Sequence, residues 1–207
     1  LGTGAAAPSK RRGCTAIYVH TPWDRMRRKS AGGRGREGKG RFWGDGFLLD
    51  CGEGAVGRLM MLATSREYGQ KSSTTGFEGL VRGLSLVWIS HMHADHHTGL
   101  LALLWYRARI AMKDVEELSP IVVAGPRGMQ ALLATYLELV ERGIAEEDEV
   151  ERPPGSGRVA ASALATFVHI QHFDVSRLPA RLPLLSWRAL AVDHGCEAYG
   201  CAVTVWE

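Results

Sequence analysis

The fold of this chain of 207 residues is decided by residues 84–96, which read Leu84-Ser85-Leu86-Val87-Trp88-Ile89-Ser90-His91-Met92-His93-Ala94-Asp95-His96. The first six of them form a nearly continuous apolar run, which predicts a strand buried on both faces. A His-x-His-x-Asp-His motif follows where this strand ends. Imidazoles and carboxylates are ligand types that zinc prefers. The segment therefore predicts a metal site at the end of a buried strand.

The motif offers four candidate ligands, His91, His93, Asp95 and His96. Neighbouring side chains in a short turn diverge, so the four are not expected to converge on one tetrahedral ion. We predict two metal ions that share the loop, with His91 and His93 on one ion and Asp95 and His96 on the other. Two ions roughly 3.5–4 Å apart suit an in-line displacement at phosphorus. Asp95 is the candidate catalytic residue, either as a ligand that also accepts a proton or as a ligand alone.

The remaining histidines are weaker ligand candidates. His194 follows an apolar strand and precedes Gly195, so it can present a ring nitrogen from another strand end. From the residues alone it is either a metal ligand or a structural histidine. His97 is predicted to start a helix, and ordinary roles are predicted for His20, His169 and His172.

Strands and helices alternate along the chain, and this order indicates an α/β protein with buried sheets. Strands are predicted at residues 15–19, 47–50, 84–89, 121–124, 165–169, 184–192 and 199–205. Helices are predicted at residues 56–67, 100–112 and 128–141. The acidic run at 146–151 and the Pro- and Gly-rich stretch after it are predicted to form a loop.

Composition places the chain among folded proteins, because 45% of its residues are apolar and 23% are charged. No apolar run reaches the roughly 18–20 residues of a membrane helix, so no membrane partner is expected. The four cysteines form no Cys-x-x-Cys pair, which favours reduced thiols in an intracellular protein. Residues 1–207 suit one domain, and the strand-like last residues predict a piece of a longer chain.

A basic, glycine-rich segment at residues 24–45 carries most of the charge asymmetry. It holds eight of the 25 basic residues and three of the 22 acidic ones, so the rest of the chain is near neutral. The segment lacks an apolar period and is predicted to be a flexible surface insertion. It could touch RNA, direct the protein to the nucleus, or have no function.

The His-x-His-x-Asp-His motif after a buried strand resembles that of the metallo-β-lactamase superfamily. Three further segments, at residues 1–10, 48–54 and 193–200, are similar to the ribonuclease Z family within it. They resemble, in this order, the opening strand with the P-x-K-x-R-N loop, the D-C-G-E-G turn and the H-C-x-x-A-Y-G segment of that family. The resemblance implies an αββα four-layer sandwich, here truncated at the C-terminus.

The resemblance also implies roles for single residues. It makes His194 a ligand of the first metal ion. Pro8, Lys10 and Arg12 are expected to hold the acceptor end of an RNA, with solvated loop charges as the alternative for the two basic residues. Asp50 is expected either to accept a hydrogen bond from a ligand imidazole or to form the turn with its side chain.

The activity implied by the resemblance is that of a zinc-dependent endoribonuclease with two zinc ions, which removes the 3′ trailer from precursor tRNA. Gly13 stands where the family has asparagine, and Gly195 where cysteine is usual. The family's bridging aspartate and last metal histidine would lie beyond Glu207, so the fragment alone is expected to be inactive.

The short segment between the histidine motif and His194 favours the long form of the family over the short form. Short forms carry a tRNA-gripping arm between the histidine motif and the next metal histidine, and residues 152–158 are too few to form it. In this respect the chain resembles the C-terminal half of a long form, in which the N-terminal half carries the arm. Long forms work in the nucleus and mitochondria. The partner would then be the N-terminal half of the same chain, whereas a short form would need a homodimer partner.

Two other functions stay open at the level of sequence. A hydrolase of the same fold would act on a small ester, thioester, lactam or sulfate, and an interaction module would bind without catalysis. Lys10 and Arg12 favour RNA over a small substrate. The intact ligand set at residues 91–96 disfavours the interaction module, because binding alone does not require it.

Overall fold

A computed structural model describes residues 14–20, 46–64, 73–113, 118–151, 160–178 and 184–205. The basic segment at 24–45 and the loop residues Pro8, Lys10 and Arg12 lie outside these ranges. The described residues form two β-sheets and a layer of helices. None of the helices in these ranges is both long and apolar enough to span a membrane.

The larger sheet has five strands, which neighbour one another in chain order. They are β1 (Ile17–His20), β2 (Gly46–Leu49), β3 (Leu84–Trp88), β4 (Ile121–Gly125) and β5 (Ala165–His169). β1 is antiparallel to β2, and the other three pairs are parallel. All residues of β3 and β4 are buried, which confirms the prediction of a strand covered on both faces. The parallel strands β2 to β5 therefore bring their carboxyl ends to one edge of the sheet.

The smaller sheet is a hairpin of β6 (Leu184–Ala191) and β7 (Tyr199–Val205). It packs on one face of the larger sheet through aromatic side chains. The ring centroid of Trp187 lies 4.8 Å from that of Trp88 and 5.6 Å from that of Phe47. The two sheets therefore share one apolar core.

Helices cover the opposite face of the larger sheet. They are α1 (Ala55–Thr64), α2 (Ser73–Arg82), α3 (Ala94–His97), α4 (Gly99–Lys113), α5 (Arg127–Glu151) and α6 (Ala161–Leu164). Leu48, Val87 and Val123 project from the strands into this second core. The described residues thus form a helix layer, a sheet and a second sheet, three of the four layers of an αββα sandwich.

Helix α5 is longer than the sequence predicts. It continues to Glu151, so the prediction of a loop at the acidic run 146–151 is wrong. Glutamate is a good helix former, and Gly143 does not end the helix. A Cβ at Gly143 would lie 2.6 Å from the ring of Trp105, so this glycine lets α5 pack closely against α4.

Candidate metal centre

The candidate site lies at the edge where the neighbouring strands β2 and β3 end. Asp50 directly follows β2, and its backbone N–H donates to the Trp88 carbonyl at 2.7 Å. The turn between β6 and β7 reaches the same edge, since Tyr199 N–H donates to the Ser90 carbonyl at 3.0 Å and His91 forms a β-bridge with Ala198. Residues distant in sequence are therefore joined here by backbone hydrogen bonds.

Three imidazoles converge at this edge. His91, His93 and His194 each offer a ring nitrogen, and these nitrogens all lie within 4.8 Å of one another. His91 Nε2 is 3.1 Å from His93 Nδ1. Two nitrogens bound at about 2.05 Å to one tetrahedral zinc ion lie about 3.3 Å apart, so this pair is already near the spacing that zinc requires. The three histidines fit a metal ion.

A buried carboxylate and a hydroxyl orient two of the rings. Asp50 Oδ2 accepts a hydrogen bond from His96 Nδ1 at 2.7 Å and one from the Ser90 hydroxyl at 3.1 Å. Ser90 Oγ in turn lies 2.9 Å from His91 Nδ1, and because its own hydrogen is donated to Asp50, it can accept a hydrogen bond from that ring nitrogen. These contacts favour the tautomer with the proton on Nδ1 in both rings, in which the Nε2 lone pair points away from Asp50 and Ser90 and is available to a metal ion.

Asp95 and His96 form a second pair beside the three imidazoles. His96 Nε2 lies 3.5 Å from Asp95 Oδ2, and both side chains are largely buried. The ring centroids of His96 and His91 are 3.9 Å apart. The arrangement groups the motif residues as the two-ion hypothesis requires, and the assignment of ligands to each ion stays a prediction.

Backbone contacts fix the turn after β2 against the histidine loop. The Cys51 N–H donates to the His96 carbonyl at 2.7 Å, and the Gly99 N–H donates to the Cys51 carbonyl at 2.9 Å. A Cβ at Gly52 would overlap the carbonyl oxygen of Asp95, so only glycine fits there. Asp50 itself has a φ of 58°, in the left-handed region that aspartate tolerates better than most residues.

The electrostatics of the site favour the neutral form of His91. Burial lowers the pKa of His91 to about 4, with repulsion from His96, His194 and His93 acting in the same direction. A metal ligand must be deprotonated, so His91 is competent to bind a metal ion at neutral pH.

Other predicted residues lie elsewhere. His97 ends the short helix α3 and does not start a helix, so that prediction is wrong. Its ring is buried, and burial lowers its pKa. The His169 and His172 rings lie at the end of β5 with a centroid distance of 5.4 Å and a tilt of 48° between their planes. Pro8, Lys10 and Arg12 lie outside the described residues, so their predicted contact with RNA stays a prediction.

Two residues at the site were missed by reasoning from the sequence. Ser90 joins Asp50 to His91, and its place directly before the motif at a strand end was the available signal. Glu197 lies in the turn that carries His194 and accepts hydrogen bonds from groups of Arg127, His169 and Tyr199. A single exposed glutamate in a turn carries no pattern that would single it out.

Individual known proteins are similar to this chain, although no family model matches it. The chain is 39% identical over 139 residues to tRNAse Z TRZ4, mitochondrial, of Arabidopsis thaliana, a stretch that covers 67% of this chain and 12% of that protein. It is 28% identical to human zinc phosphodiesterase ELAC protein 2, over 98% of this chain and 20% of that protein. The chain thus spans between about an eighth and a fifth of the length of these relatives.

A solved structure supports the same fold. The crystal structure of a long form RNase Z from yeast superposes with a TM-score of 0.56 at 18% sequence identity, over 98% of this chain and 26% of that one. At this identity the likeness establishes the fold, and the named relatives establish the closer kinship. The chain has the metallo-β-lactamase fold and belongs to the ribonuclease Z family.

Proposed function

We propose that this chain carries part of the active site of an endoribonuclease that removes the 3′ trailer from precursor tRNA. The observation that carries the proposal is the convergence of His91, His93 and His194 within 4.8 Å, with the Asp95–His96 pair beside them. The relatives named tRNAse Z and zinc phosphodiesterase support it.

The metal is proposed to be zinc, with two ions in the complete site. His91, His93 and His194 would hold the first ion, and Asp95 and His96 would contribute to the second. Zinc would supply Lewis acidity toward a phosphoryl oxygen and an activated water. Asp50 and Ser90 would orient His96 and His91 for this role, since each forms a hydrogen bond with Nδ1 of one ring and leaves Nε2 for the metal ion.

Asp95 is proposed to bind metal and to accept a proton during the reaction. Its carboxylate is 14% exposed, so it can face both the site and a small amount of solvent. Its distance of 3.5 Å from His96 Nε2 keeps the carboxylate at the histidine cluster, and a carboxylate is a chemically suitable proton acceptor there.

The wider assembly is proposed from the resemblance. Residues 1–207 would form one incomplete catalytic domain, and the rest of the protein would add the missing ligands. Pro8, Lys10 and Arg12 would grip the acceptor end of the tRNA. As in a long form, the N-terminal half of the same chain would be the partner, with a homodimer as the arrangement of a short form. The protein would act in mitochondria, as the name of TRZ4 suggests, or in the nucleus.

Cleavage assays on the full-length protein test the proposal. With labelled precursor tRNA, Asp95→Ala should lower the turnover rate by several factors of ten, each worth about 1.4 kcal/mol of transition-state stabilisation. Lys10→Ala should chiefly weaken tRNA binding and make its salt dependence shallower. Arg142→Ala, which removes an exposed ion pair with Glu138, is the matched control and should leave both unchanged.

Two outcomes would contradict the proposal. One is hydrolysis of a small phosphodiester or ester at least as strong as cleavage of precursor tRNA, together with indifference to Lys10→Ala. This would identify a small-substrate hydrolase. The other is full turnover by Asp95→Ala, which would remove Asp95 from the catalytic machinery. The isolated 207 residues are expected to bind zinc weakly or at one site only, and to leave precursor tRNA intact.

A further inference from the structure

The carboxylate of Glu197 ties together three elements around the turn that carries His194. Glu197 Oε2 accepts a hydrogen bond from the Arg127 backbone N–H at 3.1 Å, at the start of α5. Oε1 accepts one from His169 Nε2 at 3.1 Å, at the end of β5, and one from the Tyr199 hydroxyl at 3.0 Å, at the start of β7. Both oxygens of one turn residue are thus engaged by donors from a helix and two strands.

The electrostatics at the start of α5 stabilise the negative charge of the Glu197 carboxylate. The first N–H groups of a helix have no partner within the helix and carry part of its positive dipole, so a carboxylate at this position is stabilised. Burial acts to raise the pKa of Glu197, but the hydrogen bonds from His169, Arg127 and Tyr199 outweigh it and lower that pKa. The carboxylate is therefore ionised at neutral pH and holds all three donors.

The contacts of Glu197 matter for the metal centre because His194 lies on an exposed turn. His194 is exposed whereas His91 is buried, and Gly195 next to it has a φ of +67°. A side chain on such a turn samples many positions unless the turn is fixed, and fixing it before the metal arrives increases affinity. The β-bridge of Ala198 to His91 fixes the end of the turn, and Glu197 lies between that bridge and His194.

We propose that Glu197 is a positioning residue of the metal centre, which holds the 192–198 turn so that His194 reaches the ring nitrogens of His91 and His93. The inference rests on the proposed function, because it requires a metal ion at the three histidines. It adds a link from α5 and β5 to the one ligand of the cluster that comes from the β6–β7 hairpin.

Titration of the full-length protein and its variants with Co²⁺ tests the proposal without reference to activity. Cobalt substitutes for zinc, and its visible absorption reports the number and geometry of its ligands. Glu197→Gln keeps the size of the side chain but replaces one acceptor oxygen with an NH₂ group. This group cannot accept a hydrogen bond from Arg127, His169 or Tyr199. We expect about 10–100-fold weaker Co²⁺ binding and an absorption spectrum shifted toward that of a His194→Ala variant. Glu138→Gln removes an exposed carboxylate from the middle of α5 and should bind Co²⁺ as the unmodified protein does.

The thermal midpoint of each metal-free variant is measured in parallel. A folded Glu197→Gln protein with unchanged affinity and spectrum would overturn the inference, even if its thermal midpoint fell, because the glutamate would then be only structural. If Glu197→Gln does not fold, Tyr199→Phe removes one of the three donors, and its affinity should fall by a smaller factor. Unchanged affinity in that variant would overturn the inference equally. A failure of the unmodified protein to bind Co²⁺ would instead refute the proposed metal centre itself.

Discussion

Replacement of Asp50 by asparagine tests whether one carboxylate organises the candidate ligands. Asp50 accepts hydrogen bonds from His96 Nδ1 at 2.7 Å, the Ser90 backbone N–H at 2.8 Å and the Ser90 hydroxyl at 3.1 Å. Asparagine keeps the shape of the side chain and tolerates the φ of 58°, but it lacks the charge and one acceptor. The change therefore isolates the chemistry of the carboxylate.

The magnitude follows from the hydrogen bonds that are weakened. A hydrogen bond to a charged group contributes about 1.5–3 kcal/mol, and a residue that orients a metal ligand typically contributes about 10–100-fold to metal affinity. We expect Asp50→Asn to lower the free energy of unfolding of the metal-free protein by about 1.5–3 kcal/mol, the contribution of one such bond. Zinc affinity should fall by about 10–100-fold, because His96 loses the acceptor that holds its proton on Nδ1.

Two assays measure these effects separately. Urea denaturation of the metal-free protein gives the free energy of unfolding, and competition with a chromophoric chelator gives the zinc affinity. Asp50→Gly and Asp50→Ala serve as a matched pair, since both lack the carboxylate and only glycine accepts a positive φ without strain. Alanine should therefore be about 1–2 kcal/mol less stable than glycine, with equal zinc affinity. An Asp50→Asn protein with undiminished zinc affinity would refute the idea that the carboxylate fixes the imidazole tautomers.

Three further predictions concern the fold around the site. Gly52→Ala should disrupt the histidine loop and weaken zinc binding, because its Cβ would overlap the carbonyl oxygen of Asp95. The control Gly57→Ala, on the open face of α1, should be neutral or slightly stabilising. Equal zinc affinities in the two variants would contradict the close approach at Gly52. Arg107→Met should lower the free energy of unfolding by about 3 kcal/mol or more, because the buried guanidinium donates to three backbone carbonyls that would lose their partner. Arg142→Ala, at an exposed ion pair, should cost less than about 1 kcal/mol, and a similar loss in both arginine variants in urea denaturation would argue against the buried contacts. Glu197 has a pKa below its ordinary value of 4.5, so its stabilising effect is fully present above pH 4.5 and is lost as the pH falls through the lowered pKa. The stability difference between the unmodified protein and Glu197→Gln should therefore shrink only below pH 4.5, and a difference that shrinks already at neutral pH would assign it to another group.

The sequence predicts the parts of the fold that depend on local pattern. The apolar run at 84–89 and the apolar segment at 121–124 are fully buried strands in the structure, because period and hydrophobicity are local properties. The predicted helix at 128–141 instead continues to Glu151, through Gly143, whose lack of a side chain serves packing against Trp105. That packing depends on a residue of another helix, which no local pattern reveals.

The residues of the candidate site also divide into those that a local motif predicts and those that depend on distant partners. His91, His93, Asp95 and His96 lie in one short motif, and their chemistry and spacing are visible in the sequence. Ser90 and Glu197 act through partners far away in the chain, such as Asp50 at 40 residues' distance and Arg127 at 70. Their roles follow from the way β2, β3 and the β6–β7 hairpin meet at one edge, and only the three-dimensional arrangement contains that information.

The meeting of the hairpin with the histidine loop has a consequence for folding. His93 and His194 are about 100 residues apart in the chain, yet their rings lie 5.2 Å apart between centroids. An ion bound to both would act as a cross-link that closes a loop of this length, and a covalent link over such a loop is worth about 4.7 kcal/mol of chain entropy. The metal would thus join the first sheet to the second and make the ordered hairpin part of the same cooperative unit. Metal removal should then loosen the hairpin before it unfolds the parallel sheet, since β3 and β4 keep the second core that they form with the helices.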